Sequence, residues 1–184
     1  MTDRTIEAII DTHLQKWADA GINQRPGPID KEMAGPTNKE GWTQWHPIPS
    51  KVTDSEIEDF EEQIGHRLPS DYKRFLKHKH FYDLYISEAS FTHLANTWRT
   101  THMKLIYGGY PREFLIDKGY LPFADWNDWG MLCFDTNADD GKHNYPVVMW
   151  DHDRPYQVKP MYRDFTDLIQ NLDRQASEKE LEEQ

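Results

Sequence analysis

Ile6, Ile9, Ile10, Leu14 and Trp17 recur at three- and four-residue steps with Glu7, Asp11 and Lys16 between them. That period predicts an amphipathic helix over 5–18, with Gly21 as its stop signal. The pattern dissolves over 21–51, where Pro26, Pro28, Pro36, Pro47 and Pro49 alternate with Gly27, Gly35 and Gly41. A long regular element is ruled out there, and the segment reads as irregular. Trp42 and Trp45 near its end imply that it packs on the body of the protein. Helical spacing returns at Ile57, Phe60 and Ile64, and the start is marked by Thr53-Asp54-Ser55-Glu56. This is a capping box: the Thr53 hydroxyl accepts from the Glu56 N–H while Glu56 reaches back, and Val52 and Ile57 are placed as a hydrophobic staple. Asp54 and Glu56 suit the positive end of the helix dipole. Gly65 is the expected left-handed stop. Leu68-Pro69-Ser70 then opens a second helix to about Lys79, with Tyr72, Phe75 and Leu76 inward.

Further along, the pattern predicts a short strand near 83–87 and a helix over about 92–106 carrying Leu94, Trp98, Leu105 and Ile106. Leu121-Pro122-Phe123-Ala124 is a short apolar piece. Residues 130–135 and 147–151 are the best strands, joined by the polar run 136–144 as a hairpin loop. A further strand is expected at 156–159, and a helix over 162–175 through Phe165, Leu168, Ile169 and Leu172. The charged tail from Ser177 is expected to fray into solvent. Helices first and last around a meander of strands indicate an α+β fold.

Composition narrows the class. The chain has 184 residues, 32 acidic against 21 basic, for a formal net charge of −11. Its length suits one domain with a real core. Hydrophobic residues make up 37%, and the 13% of aromatics carry much of the burial. No run approaches a membrane span, and residues 1–12 show no basic region followed by an apolar stretch. Cys133 is the only cysteine, which excludes an internal disulfide and any zinc site of two or more cysteines. A cytoplasmic protein is the expectation. The acidic balance argues against binding nucleic acid and favours a basic protein partner, reached by electrostatic steering.

Candidate chemistry is sparse. Asp135 to Gly141 is acidic like a calcium loop, but its Gly is seventh rather than sixth and Pro146 stands where the bidentate Glu belongs, so a solvated turn is the simpler reading. Within Trp150-Asp151-His152-Asp153 only Asp151 and Asp153 share a strand face. His78, His80, His93 and His102 make a metal cluster only if the fold gathers them, and surface histidines are the expectation. Cys133, inside Met131-Leu132-Cys133-Phe134, reads as a core residue, since burial raises a thiol pKa. No nucleophile elbow or phosphate loop is present, and nothing argues for an enzyme. The acidic patches are more informative. Six carboxylates and no cation lie between Asp54 and Glu62, with Glu58, Glu61 and Glu62 expected on the exposed side. A second patch is Asp125, Asp128, Asp135, Asp139, Asp140, Asp151 and Asp153, beside Trp126 and Trp129. Exposed aromatics flanked by carboxylates suit a protein-binding hot spot. The alternative is that the tryptophans are core and the carboxylates only solubilise.

The run Val52 to Leu76, a capped helix with Phe60-Glu61, a stop at Gly65, then Leu68-Pro69-Ser70-Asp71-Tyr72-Lys73-Arg74-Phe75-Leu76, resembles the opening of the Smi1/Knr4 family, also called the SUKH superfamily. Leu121 to Ala124, Gly130 to Asp135, Pro146 to Asp153 and the closing helix continue the resemblance, which covers roughly 42–175. Residues 1–41, a helix and a Pro/Gly-rich segment, fall outside it, as does the charged tail 176–184. Residues 92–120 match little, and Lys77 to Phe81 replaces the family's Asn-Gly turn. The resemblance implies a single α+β domain with a mainly antiparallel sheet packed by helices. It also implies an immunity protein, not an enzyme and needing no cofactor, that neutralises a cognate polymorphic toxin, often a nuclease. The nine residues of the second patch are the expected contact set. A scaffold or regulatory protein-binding module is the alternative, and a metal-dependent hydrolase a more distant one.

Overall fold

A computed structural model describes residues 4–128, 130–139 and 141–182. Helix α1 (Ile6–Asp19) is followed by four short strands, β1 (Gln24–Pro26), β2 (Ala34–Thr37), β3 (Trp42–Trp45) and β4 (Ile48–Pro49). Then come α2 (Asp54–Ile64), α3 (Ser70–Leu76), β5 (Lys79–Ile86), β6 (Ala89–His93) and α4 (Trp98–Tyr107). The chain closes with β7 (Tyr120–Trp126), β8 (Gly130–Asp135), β9 (Val147–Asp151), β10 (Val158–Tyr162) and α5 (Phe165–Glu182). Strands β10-β9-β8-β7-β6-β5-β4 form one antiparallel meander, and β1-β3-β2 form a small separate sheet. The fold is a single α+β domain. Among the described residues, no helix is long and apolar enough to cross a membrane.

Period-two alternation divides the core. Leu132 and Phe134 of β8 face the large cluster under the helices, with Leu121 and Phe123 of β7, Tyr72 and Phe75 of α3, and Phe165, Leu168 and Leu172 of α5. Met131 and Cys133 face the other way and pack with Val148, Trp150 and Leu115. The free Cys133 is wholly buried, and burial pushes its thiol pKa up.

The α2–α3 corner forms for the reasons the sequence gives, with one correction. The capping box at Thr53 and Glu56 is present, and Gly65 turns the chain at φ +73°. Glu61, expected on the exposed side, is instead 2% exposed. Its Oε1 accepts from the Leu68 N–H at 2.6 Å and from Lys73 Nζ at 2.5 Å, and its Oε2 from Arg67 at 2.7 Å. Burial alone would raise the Glu61 pKa, but these donors outweigh it and hold the carboxyl below its ordinary range. The carboxylate closes the turn that Gly65 opens.

Other expectations shift. The segment 21–51 contains short strands, with Trp45 buried and Trp42 exposed. The helix beginning at Ser70 stops at Leu76, and strand β5 starts at Lys79, earlier than expected. The helix expected over 92–106 starts only at Trp98, because Ala89, Phe91 and His93 alternate inward as a strand. The last strand lies at 158–162. Residues 177–182 continue α5 rather than fraying, since α5 packs along α1 through His13–Asp173 at 3.0 Å and Lys16–Glu180 at 2.6 Å.

The histidines also depart from expectation. His80, His93 and His102 lie in the core, with ring centroids 4.6 Å apart for His80–His93 and 6.1 Å for His93–His102. The His102 Nδ1–H donates to the Trp98 carbonyl, and its Nε2 accepts from the Tyr72 hydroxyl. His93 Nε2–H donates to the Leu76 carbonyl, and His80 Nε2 accepts from the Lys51 N–H. His78 is half-buried, 2.8 Å from Asp11. Among the described residues, no group of three His, Cys, Asp or Glu is placed to hold a metal ion.

Candidate partner-binding site

The fold distributes the seven described residues of the second acidic patch rather than gathering them. Trp126 pairs with Gly130, and Gly130 with Asp151, so these lie at one end of the sheet. Asp135 ends β8 at the opposite end, five residues or roughly 17 Å away at the usual strand rise. Asp135 and Asp139 are occupied in that far turn. Asp135 accepts from the Asn137 N–H at 3.1 Å, and Asp139 from the Gly141 and His143 N–H groups. Asp151 accepts from the Asp153 N–H at 2.8 Å, and Asp153 lies 3.4 Å from His152. Trp126 packs under the sheet toward Tyr162, with ring centroids 6.5 Å apart. Asp125 and Asp128 come together beside a cleft on the other face. Trp129 and Asp140 lie outside the described residues.

The cleft arises from a defect in the meander. Strands β7 and β8 pair over six positions, whereas β6 and β7 pair only at Ala89–Trp126 and Ser90–Asp125. Pro122 sits in β7 next to a bulge. Proline has no N–H for a ladder and is tolerated inside a sheet chiefly at such irregularities. Past Ser90 and Asp125 the two strands part, and α4 lies across the opening. The resulting hollow, about 260 Å³, is lined by Ser90 and Thr92 from β6, Thr101, His102, Lys104 and Leu105 from α4, and Phe123 to Asp125 from β7. A second hollow of about 380 Å³ shares Ser90 and Asp125 and opens past Tyr85, Asn127 and Asp128.

Most of the polar side chains of the cleft are left open to a ligand. Several carboxylates elsewhere are tied down: Asp71 holds the N–H and hydroxyl of Thr166, Asp173 takes Arg4 and His13, and Glu88 takes Lys179 and Asn127. Among the described residues, the side chains of Ser90, Thr92, Thr101, Lys104 and Asp125 form no hydrogen bond or ion pair. Burial raises the pKa of Asp125, and the Asp125 charge adds to the effect of burial in raising that of Tyr110. Such an arrangement of acceptors suits a hydrogen-bond-donating group, and the imidazole in the wall, His102, has both ring nitrogens engaged by the Trp98 carbonyl and the Tyr72 hydroxyl. The sequence pattern hides it because Thr92 and His93, the last residues of β6, fall at the start of the helix expected over 92–106. Pro122 in an otherwise apolar strand was the available signal.

A seven-stranded antiparallel meander under helices, with a polar cleft where two strands part, defines a compact α+β domain built around one sheet. The family model described as SMI1 / KNR4 family (SUKH-1) matches residues 51–171, and the chain belongs to that family. The match begins just before the Thr53 capping box and ends inside α5, so it spans strands β5 to β10 of the meander and the Glu61 clamp. No curated protein matches the chain.

Proposed function

We propose that this chain is a non-catalytic immunity protein that binds a cognate polymorphic toxin, a basic nuclease, and neutralises it by covering its active site. Membership of the SMI1 / KNR4 family carries the reading. The net charge of −11 supports it, because an acidic surface complements the cationic cleft with which a nuclease holds phosphates. The cytoplasm is where such a complex would form. Of the residues in the second acidic patch, Asp125 and Asp128 are the strongest contact candidates, since Asp125 is unpaired and the two share one hollow. Asp135, Asp139 and Asp151 serve turns and rank below them. The test is co-purification of the full chain with the protein encoded by the adjacent gene, followed by assay of that protein's nuclease activity. Stoichiometric capture with loss of activity is expected. No capture would move the function toward a scaffold binding some other cellular protein.

A further inference from the structure

The cleft between α4 and strands β6 and β7 has a specific chemistry. Its inner hollow, about 260 Å³, falls below the ~300–1,000 Å³ typical of pockets for drug-sized molecules and suits a single side chain. Its polar wall consists of the Asp125 carboxylate and the hydroxyls of Ser90, Thr92 and Thr101, all groups that accept hydrogen bonds. One cation, Lys104, stands in the same wall and offsets Asp125, so the charge that balances one added cation comes from Asp128 in the adjoining hollow, and two carboxylates against one lysine disfavour a run of cations. At the mouth Tyr85 is 54% exposed, and its ring is held flat against Trp17 at 5.5 Å between centroids and 2° between planes. A guanidinium stacks on such a face and brings five N–H donors in a fixed fork. An ammonium has three donors and no plane to stack.

We propose that the cleft receives one arginine side chain of the protein partner, with its guanidinium on Asp125 and the Ser90 and Thr92 hydroxyls and its stem passing Tyr85. The identity of the partner rests on the immunity reading, whereas the arginine pocket rests on the cleft alone. Asp125 is exposed near the end of β7 and its side chain forms no hydrogen bond or ion pair among the described residues that holds the fold, so Asp125→Asn should fold normally.

The test uses the full chain, labelled for amide NMR, and titrates it with Nα-acetyl-arginine methylamide, with the citrulline analogue as neutral isostere. Saturable shifts are expected for residues 90–92, 101–109 and 123–128 with a Kd of order 1–10 mM, the range of a single anchoring contact. Asp125→Asn should weaken binding at least about tenfold, the size of one charge-assisted contact. Glu178→Gln, which removes the same charge from an exposed position on α5, should leave it unchanged. Absent shifts, equal binding of citrulline, or indifference to Asp125→Asn would overturn the pocket. If arginine binds while the adjacent gene product does not, the pocket stands and the immunity reading falls. If the gene product binds the Asp125→Asn protein undiminished, the immunity reading stands and the pocket is not where it docks.

Discussion

Glu61 and the core histidines show how much one buried side chain decides here. The Glu61 carboxylate is enclosed by Leu68 N–H, Lys73 and Arg67, so its removal leaves a half-buried Lys73 ammonium and a backbone donor unpaired. Glu61→Ala should cost about 3 kcal/mol, the usual loss on breaking a buried pair, read from urea midpoints. The histidines set the pH response. Burial, then the neighbouring His102 and His80, hold the His93 pKa well below its ordinary value; burial lowers those of His80, His102 and His13. The unfolded chain therefore takes up these protons from about pH 6.5 downward while the folded chain does not. Stability is complete above that pH and falls as pH drops, by up to about 1.4 kcal/mol per unit for each histidine until its folded pKa is passed. Glu61, held low in the fold, adds a second loss only below about pH 4.5. Urea midpoints between pH 7.5 and 5 should fall, and His93→Gln should flatten the slope; a flat profile in the parent would contradict this origin. The sequence singles out His78, His80, His93 and His102 among nine histidines but does not show which are buried, since inward alternation over Ala89, Phe91 and His93 needs the strand to be known first. Glu61 was misplaced for a related reason: helical spacing puts it beside Phe60, and only the Leu68 N–H and Lys73 make its burial tolerable.

Elements were legible where local chemistry and periodicity agree. Thr53, Glu56 and Gly65 specify both ends of α2 without help from the rest of the chain, and β8 and β9 have the bounds their apolar runs indicate. Thr53→Ala should destabilise the domain by about 1 kcal/mol through loss of the cap. Reading failed where tertiary pairing overrides local pattern. Strand β6 and the late start of α4 follow from pairing with β5, and residues 177–182 stay helical because α5 lies along α1. Gly130 marks a tight contact of this kind. A Cβ there would stand 1.8 Å from the Trp150 carbonyl oxygen, so Gly130→Ala must push β9 away and should cost at least about 1–3 kcal/mol by thermal unfolding. The β6–β7 seam belongs to the same scale. Pro122 and the bulge beside it leave two paired positions where neighbouring strands have more, and a break in a sheet becomes a lined cleft.

At the scale of the whole molecule, the excess of carboxylates is spread over both ends of the sheet, and many of those with partners hold turns or helices together. What remains is a broad negative field and, within it, the cleft holding unpaired Asp125. On the proposed function, the field would govern how fast a basic protein is captured and how salt affects it, and the cleft would govern which basic group fits. Overall charge was readable from composition alone, but the location of the cleft required the topology. The most direct test of the central claim is calorimetry of the full chain with the product of the adjacent gene at low and high salt. Tight binding at low salt that weakens as salt rises is the expected result. Absence of binding at both salts would contradict the immunity reading while leaving the fold as described.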